Sequence, residues 1–99
     1  MLKLTLRQEA IDDLNNIWNY TKTKWSENQA EKYYQTIESS CKLIAENPNI
    51  GKSYNEISSH LFGLKTGRHI IFYSILAGVE IEVIRILHER MDLINRLAE

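Results

Sequence analysis

The sequence is short of several things, and each shortage narrows what it can be. It holds one cysteine, Cys41, so no internal disulfide can form and a reducing compartment is expected. One proline and four glycines leave few places for the chain to break. No apolar run approaches the ~20 residues that a membrane-spanning helix needs. The opening MLKLTLRQEAIDD lacks the apolar stretch of a signal peptide and soon turns acidic. A cytoplasmic protein with no membrane partner is the expectation.

Charge of one sign is also lacking. The formal net charge is −1, with six basic and seven acidic side chains in residues 1–50 and six of each in residues 51–99. Nucleic-acid binding is driven by phosphate neutralisation and usually shows as a basic excess. A protein partner is therefore expected, and direct nucleic-acid binding is not. Catalytic signatures are absent too: no HExxH, no CxxC, no phosphate-cradling glycine loop and no nucleophile elbow. His60, His69 and His88 share no metal-ligand spacing, and no cysteine lies near one of them in sequence. Neither a metal nor a cofactor is expected.

What the chain does have is clear periodicity. Leu2, Leu4 and Leu6 alternate with polar residues, as a short strand does. From Gln8 onward Ile11, Leu14, Ile17, Trp18, Thr21 and Trp25 recur at three- and four-residue steps, an amphipathic helix with acids early and lysines late. The two tryptophans read as core or partner-facing surface. Ser26-Glu27-Asn28-Gln29 is a capping box that opens a second helix, with Ala30, Tyr33, Tyr34, Ile37, Cys41 and Ile44 on its apolar stripe. That helix should stop near Asn47, because Pro48 disfavours helical geometry in the residue before it. Cys41 reads as a buried small hydrophobe. Asn47 to Gly51 is a loop, and residues 52–60 continue it with little periodicity.

The second half is dominated by Leu61 to Asp92. Leu61 to Lys65 reads as a short strand and Thr66-Gly67 as a turn. Two runs rich in Ile, Val, Phe and Tyr follow, His69 to Leu76 and Val79 to Leu87, separated by Ala77 and Gly78. This is a β-hairpin signature. The first run is apolar at nearly every position, as a central strand covered on both faces would be. In the second, strict alternation puts Val79, Ile81, Val83, Arg85 and Leu87 on one face and Glu80, Glu82, Ile84 and Ile86 on the other. The tail after Asp92 reads as a short final helix or as a segment that orders on binding. The expected fold is α+β over a single domain, residues 1–99. An N-terminal helical hairpin packs on a mostly antiparallel sheet of three to four strands, in the order β-α-α-β-β-β with the short C-terminal helix optional.

Basic and titratable groups gather at the ends of the hairpin: Lys65, Arg68, His69, Arg85, His88 and Arg90. These are the candidate target-binding residues. Structural pairing is the competing role: Arg68 and Arg85 could bridge to Glu82 or Asp92, His88 could be a hydrogen-bonded strand-end residue, and Lys65 and Arg90 could be solvated charges.

The arrangement resembles the RelE/ParE superfamily of toxins from type II toxin–antitoxin modules. Ala10, Asp13-Leu14 and Ile17 resemble its first helix, Ala30 and Tyr34 its second, and Pro48 with Gly51 the loop that follows. Gly67-Arg68-His69, Ile71-Phe72-Tyr73 and the run from Ile81 to Asp92, ending ILHERMD, resemble its closing hairpin. The likeness covers about nine-tenths of the chain, and the last block is the most specific part. It implies one of two activities. RelE-like members cleave messenger RNA on the ribosome, which needs a dense basic cluster and an acid–base group; here Arg68, Arg85, His88 and Arg90 would carry that chemistry. ParE-like members bind DNA gyrase and stall it with no catalysis of their own. Glu80, Glu82 and Glu89 interleave with the basic residues, no tyrosine follows Tyr73, and the closing block is more similar to ParE-like sequences. The resemblance therefore points to the ParE-like branch, with no catalytic residues. It further implies plasmid stabilisation, growth arrest and assembly with a cognate antitoxin into a hetero-oligomer. A ribonuclease, or an inert interaction domain, is the alternative.

Overall fold

The structure, a computed structural model, describes residues 2–78 and 80–98. The alternating leucines form β1 (Lys3–Leu6), and one residue later the chain enters α1 (Gln8–Lys24). Ser26 then caps α2 (Glu27–Glu46), its hydroxyl accepting from the Gln29 N–H at 3.1 Å. Only that half of the expected capping box forms among the described residues. The helix ends one residue before Asn47, and Pro48–Ile50 makes a single 3₁₀ turn capped by the Asn47 side chain.

Residues 52–60, expected as an aperiodic loop, carry more structure than their pattern suggests. They begin with the two-residue strand β2 (Lys52–Ser53), and the turns after it pack Tyr54 and Ile57 against the sheet. Then come β3 (Phe62–Thr66), β4 (His69–Leu76), β5 (Glu80–His88) and a final short helix, α3 (Leu93–Ala98). Ala77 and Gly78 both have positive φ, 51° and 74°, the backbone of a tight hairpin turn. Val79, expected to open the second strand, lies outside the described residues. No helix among the described residues is long and apolar enough to cross a membrane.

The sheet runs β1-β5-β4-β3-β2, with β1 parallel to β5 and every other pair antiparallel. This is the expected α+β architecture, with five strands once the two-residue β2 is included. β4 sits at the centre, as its apolar run required, and Ile70, Ile71, Phe72 and Tyr73 are buried. The helical hairpin covers one face: Ala10, Ile37 and Ile44 pack on Ile71, Tyr73, Ile81, Val83 and Ile86. The opposite face is closed by Tyr54, Ile57 and Leu61 and by Leu93 and Leu97 of α3, around Phe72, Ile70, Ile84 and Leu87.

Strict alternation along β5 fails at one point. Phe72 pairs with Arg85 but the adjacent Tyr73 pairs with Val83, so Ile84 is an extra residue. A β-bulge of this kind exchanges the faces beyond it. Ile86 consequently joins Ile81 and Val83 under the helices and Leu87 turns to the other face, the reverse of the assignment expected for these two, while Ile84 lies on the face where it was expected. Two side chains on the expected α1 stripe are also surface residues: Ile11 is 39% exposed, and Trp25, just past the helix end, is 71% exposed. Cys41 is half-buried and packs against the core, with its thiol pushed up to about 11 by desolvation and the nearby Glu38.

Candidate recognition cleft

A cleft of about 1060 Å³ lies between the turn end of the helical hairpin and the end of the sheet where β4 begins and β5 finishes. Its α1 wall is Asp13, Ile17, Tyr20 and Lys24, at the three- and four-residue steps that place side chains on one helix face. Gln29, Lys32 and Tyr33 line it from α2; Arg68, His69, Arg85 and His88 come from the sheet and its turns. Of the six candidates named from sequence, these last four share the cleft, whereas Lys65 and Arg90 do not line it. The lining carries five cationic side chains, Lys24, Lys32, Arg68, Arg85 and Arg96, against one acid, Asp13. The chain's neutral total thus conceals a local basic patch.

The acid is already committed. Asp13 accepts from Arg85 Nε at 2.8 Å and from its Nη2 at 3.0 Å, and also takes the Ile86 N–H at 3.0 Å. β1 pairs with β5 only as far as Val83, so beyond that point the strand's outer edge needs another partner, and Asp13 supplies one. Arg85 further donates to the Arg96 carbonyl at 3.2 Å, tying α3 to the same point. The pair is 16% and 13% exposed. Arg85 therefore clips α1, β5 and α3 together. Among the described residues its ion pair is with Asp13, not with Glu82, which takes Arg7 at 2.6 Å, or with Asp92.

The turn between β3 and β4 is clamped as firmly. Gly67 adopts φ +58°, and a Cβ there would lie 2.7 Å from the Tyr33 ring, so glycine is required twice over. The Tyr33 hydroxyl accepts the Arg68 N–H at 3.1 Å and lies 2.6 Å from His69 Nδ1. The Arg68 carbonyl accepts the Glu89 N–H at 2.9 Å. Held on both sides of its backbone, Arg68 presents an exposed side chain that makes no ion pair among the described residues. Lys65 bridges to Glu89 at 2.9 Å, which with the neighbouring His88 and Arg68 holds that carboxyl below its usual range. His69 and His88 face each other across β4 and β5, rings 5.2 Å apart and edge to face. Desolvation, and then the His88 charge, lowers His69 to about 4. Desolvation raises the Tyr33 hydroxyl. His88 is a hydrogen-bonded strand-end residue whose Nδ1 accepts the Arg90 N–H at 3.1 Å.

Sequence reasoning missed Tyr33 and Asp13 as parts of this site, along with the aromatic edge formed by Tyr20 and Trp25, which are 65% and 71% exposed. Asp13 carried a signal, because it is a carboxylate on the same helix face as the apolar positions Ala10 and Ile17, three and four residues away. Tyr33 carried none, since its ring occupies an apolar helical position and only its hydroxyl is functional.

Element order and mixed sheet place the fold among those of chains solved from bacterial toxin–antitoxin systems. The fold is shared with a chain of the chromosomal ParDE toxin–antitoxin system from P. aeruginosa, at TM-score 0.76 and 21% identity, covering 89% of this chain and 96% of that one. A chain of the RelBE2 toxin–antitoxin complex from Mycobacterium tuberculosis superposes at TM-score 0.69 and 13% identity, covering 89% and 98%. Sequence narrows the class. The family described as ParE toxin of type II toxin-antitoxin system, parDE, matches residues 4–93. Toxin ParE1 of Mycobacterium tuberculosis is 36% identical over 92 residues, covering 93% of this chain and 94% of that protein. Toxin ParE of Escherichia coli is 33% identical over 99 residues, covering 100% and 96%. The chain belongs to the ParE toxin family.

Proposed function

We propose that the protein is the toxin of a type II toxin–antitoxin pair and acts by binding DNA gyrase, with the cleft as its contact surface. Family membership supports the toxin role. The observation that carries the gyrase reading over RNA cleavage is the Asp13–Arg85 clip, which commits to a carboxylate of the fold a guanidinium that a ribonuclease would turn toward phosphate. A general acid or base works best with a pKa near the operating pH. His69 at about 4 is a poor proton donor near neutrality, and Tyr33, raised above its usual value, is a poor base. Arg85 is held by Asp13 and is not aimed at a substrate phosphate. A surface of cations with an aromatic edge, by contrast, suits recognition of a protein, because exposed Tyr, Trp and Arg are the usual anchors.

Neutralisation by a cognate antitoxin follows from the same surface. The ParDE and RelBE2 neighbours are toxin–antitoxin systems, and a segment that folds on binding could cover an open cleft of this size. Growth arrest and plasmid stabilisation are the expected cellular consequences. The test places one purified sample in two assays, gyrase supercoiling and ribosome-dependent messenger cleavage. Loss of supercoiling with intact messenger is expected. Messenger cut in the presence of ribosomes, with supercoiling normal, is the result that replaces this reading with ribonuclease activity.

A further inference from the structure

Four of the cleft's five cations have no acid to answer them. Lys24, Lys32, Arg68 and Arg96 are exposed and make no ion pair among the described residues, whereas Arg85 is held by Asp13. Their neighbours explain this. The residues three and four places from Lys32 along α2 are Asn28, Gln29, Gln35 and Thr36, none of them an acid. Asp92, one turn before Arg96, takes the Asn95 amide at 2.7 Å, and Glu89, whose carboxyl feels the Arg68 charge, is paired with Lys65 at 2.9 Å. Of the four, only Lys24 has a structural role in view, at the C-terminal end of the α1 dipole. Beside them stand the open rings of Tyr20 and Trp25.

The chain's total of −1 is the wrong quantity to set against this patch. At physiological ionic strength, exposed charges more than about 8 Å apart are largely screened, so a ligand in the cleft meets the cations that line it. Tyrosine, tryptophan and arginine serve protein and nucleic-acid contacts alike. Lysine separates the two, being depleted at protein interfaces and a regular ligand of phosphate. A cationic groove edged with exposed rings is the arrangement that holds single strands, with phosphates on the cations and base faces on the rings. A duplex keeps those faces inside its stack. We infer that the cleft binds a single nucleic-acid strand, with Lys24, Lys32, Arg68 and Arg96 on its phosphates and Tyr20 and Trp25 stacked on its bases. Arg85 stays on Asp13, and the strand is held rather than cut. That the strand is DNA rests on the gyrase reading; the binding itself does not.

The test is the fluorescence anisotropy of labelled oligothymidine and oligouridine, each about ten nucleotides long, titrated with the full chain over a range of salt. Unlabelled oligoglutamate of equal charge competes as the acidic-protein probe. Four phosphate contacts at about 0.7 each give a log–log salt slope of about −3. Lys32→Ala should flatten that slope by about 0.7. Trp25→Ala should weaken binding about tenfold, while Trp25→Phe keeps most of it. Lys22→Ala removes the same charge outside the lining and should change affinity by less than about twofold. No binding of either strand, no loss from Trp25→Ala, or a loss from Lys22→Ala as large as from Lys32→Ala, overturns the site. Oligoglutamate competing as well as unlabelled oligothymidine overturns it in favour of an acidic protein. Tighter binding of oligouridine overturns the assignment to DNA alone. Oligothymidine bound by a protein that leaves supercoiling intact upholds the site and removes its link to gyrase. Thermal midpoints matching the parent's exclude misfolding of the variants as the cause.

Discussion

Removing the Asp13–Arg85 clip should cost more stability than any other single polar change in the described structure. Both charges lie at or below 16% exposure, and their bonds are bidentate at 2.8 and 3.0 Å. Breaking a buried pair by deleting one partner costs about 3–5 kcal/mol; partial access to water reduces this to about 2–4 kcal/mol for Arg85→Ala. Asp13→Ala should cost about 1 kcal/mol more, because it also strands the Ile86 N–H. A domain of this length has about 5–15 kcal/mol in total, so either variant loses a large share. The midpoint of thermal unfolding should fall by roughly 10–25 °C, at about 4–8 °C per kcal/mol. Urea unfolding of the parent, both single variants and the double variant measures the coupling directly, and about 1–3 kcal/mol is expected. Additive losses, or an Arg85→Ala cost below about 1 kcal/mol, would show that the pair does not hold α1 to β5.

Three further outcomes are expected. Gly67→Ala should destabilise by about 1–3 kcal/mol, read by urea unfolding, because its φ of +58° is strained for any side chain and the new Cβ meets Tyr33. The His69 pKa lies below its unfolded value, near 6.5 against about 4 folded. Its contribution is therefore complete above about pH 6.5 and is lost as pH falls toward 4, by at most about 3 kcal/mol; His69→Asn should flatten that part of the stability profile. Cys41, with its thiol near 11, should react with a disulfide reagent at pH 8 on the order of a hundredfold more slowly than a free thiol and reach the free rate on unfolding.

Much of this fold was legible because its signals are local. The span of β4, the Ser26 cap and the stop before Pro48 each follow from residues within a turn or two. The bulge at Ile84 was not, because the extra residue matters only through its pairing with β4. The packing of Tyr54 and Ile57 over the second face likewise depends on a surface built later in the chain. At the site, the basic candidates were visible as residue types. Their sorting was not: what separates Arg85 from Arg68 is Asp13, 72 residues away in sequence. Tyr33, similarly, meets His69 only once α2 is laid on the sheet. Charge balance over the whole chain also hid five cations gathered in one cleft.

Those two arginines allow the most direct test of the cleft as the toxin's working surface. Arg68→Ala should leave stability within about 0.5 kcal/mol of the parent, because its side chain is exposed and unpaired among the described residues. Gyrase supercoiling should be titrated with the parent and with this variant, both confirmed as folded. The cleft reading predicts that the parent inhibits supercoiling and that Arg68→Ala needs at least about tenfold more protein to do so. Equal inhibition by the two folded proteins, or no inhibition by the parent, contradicts it.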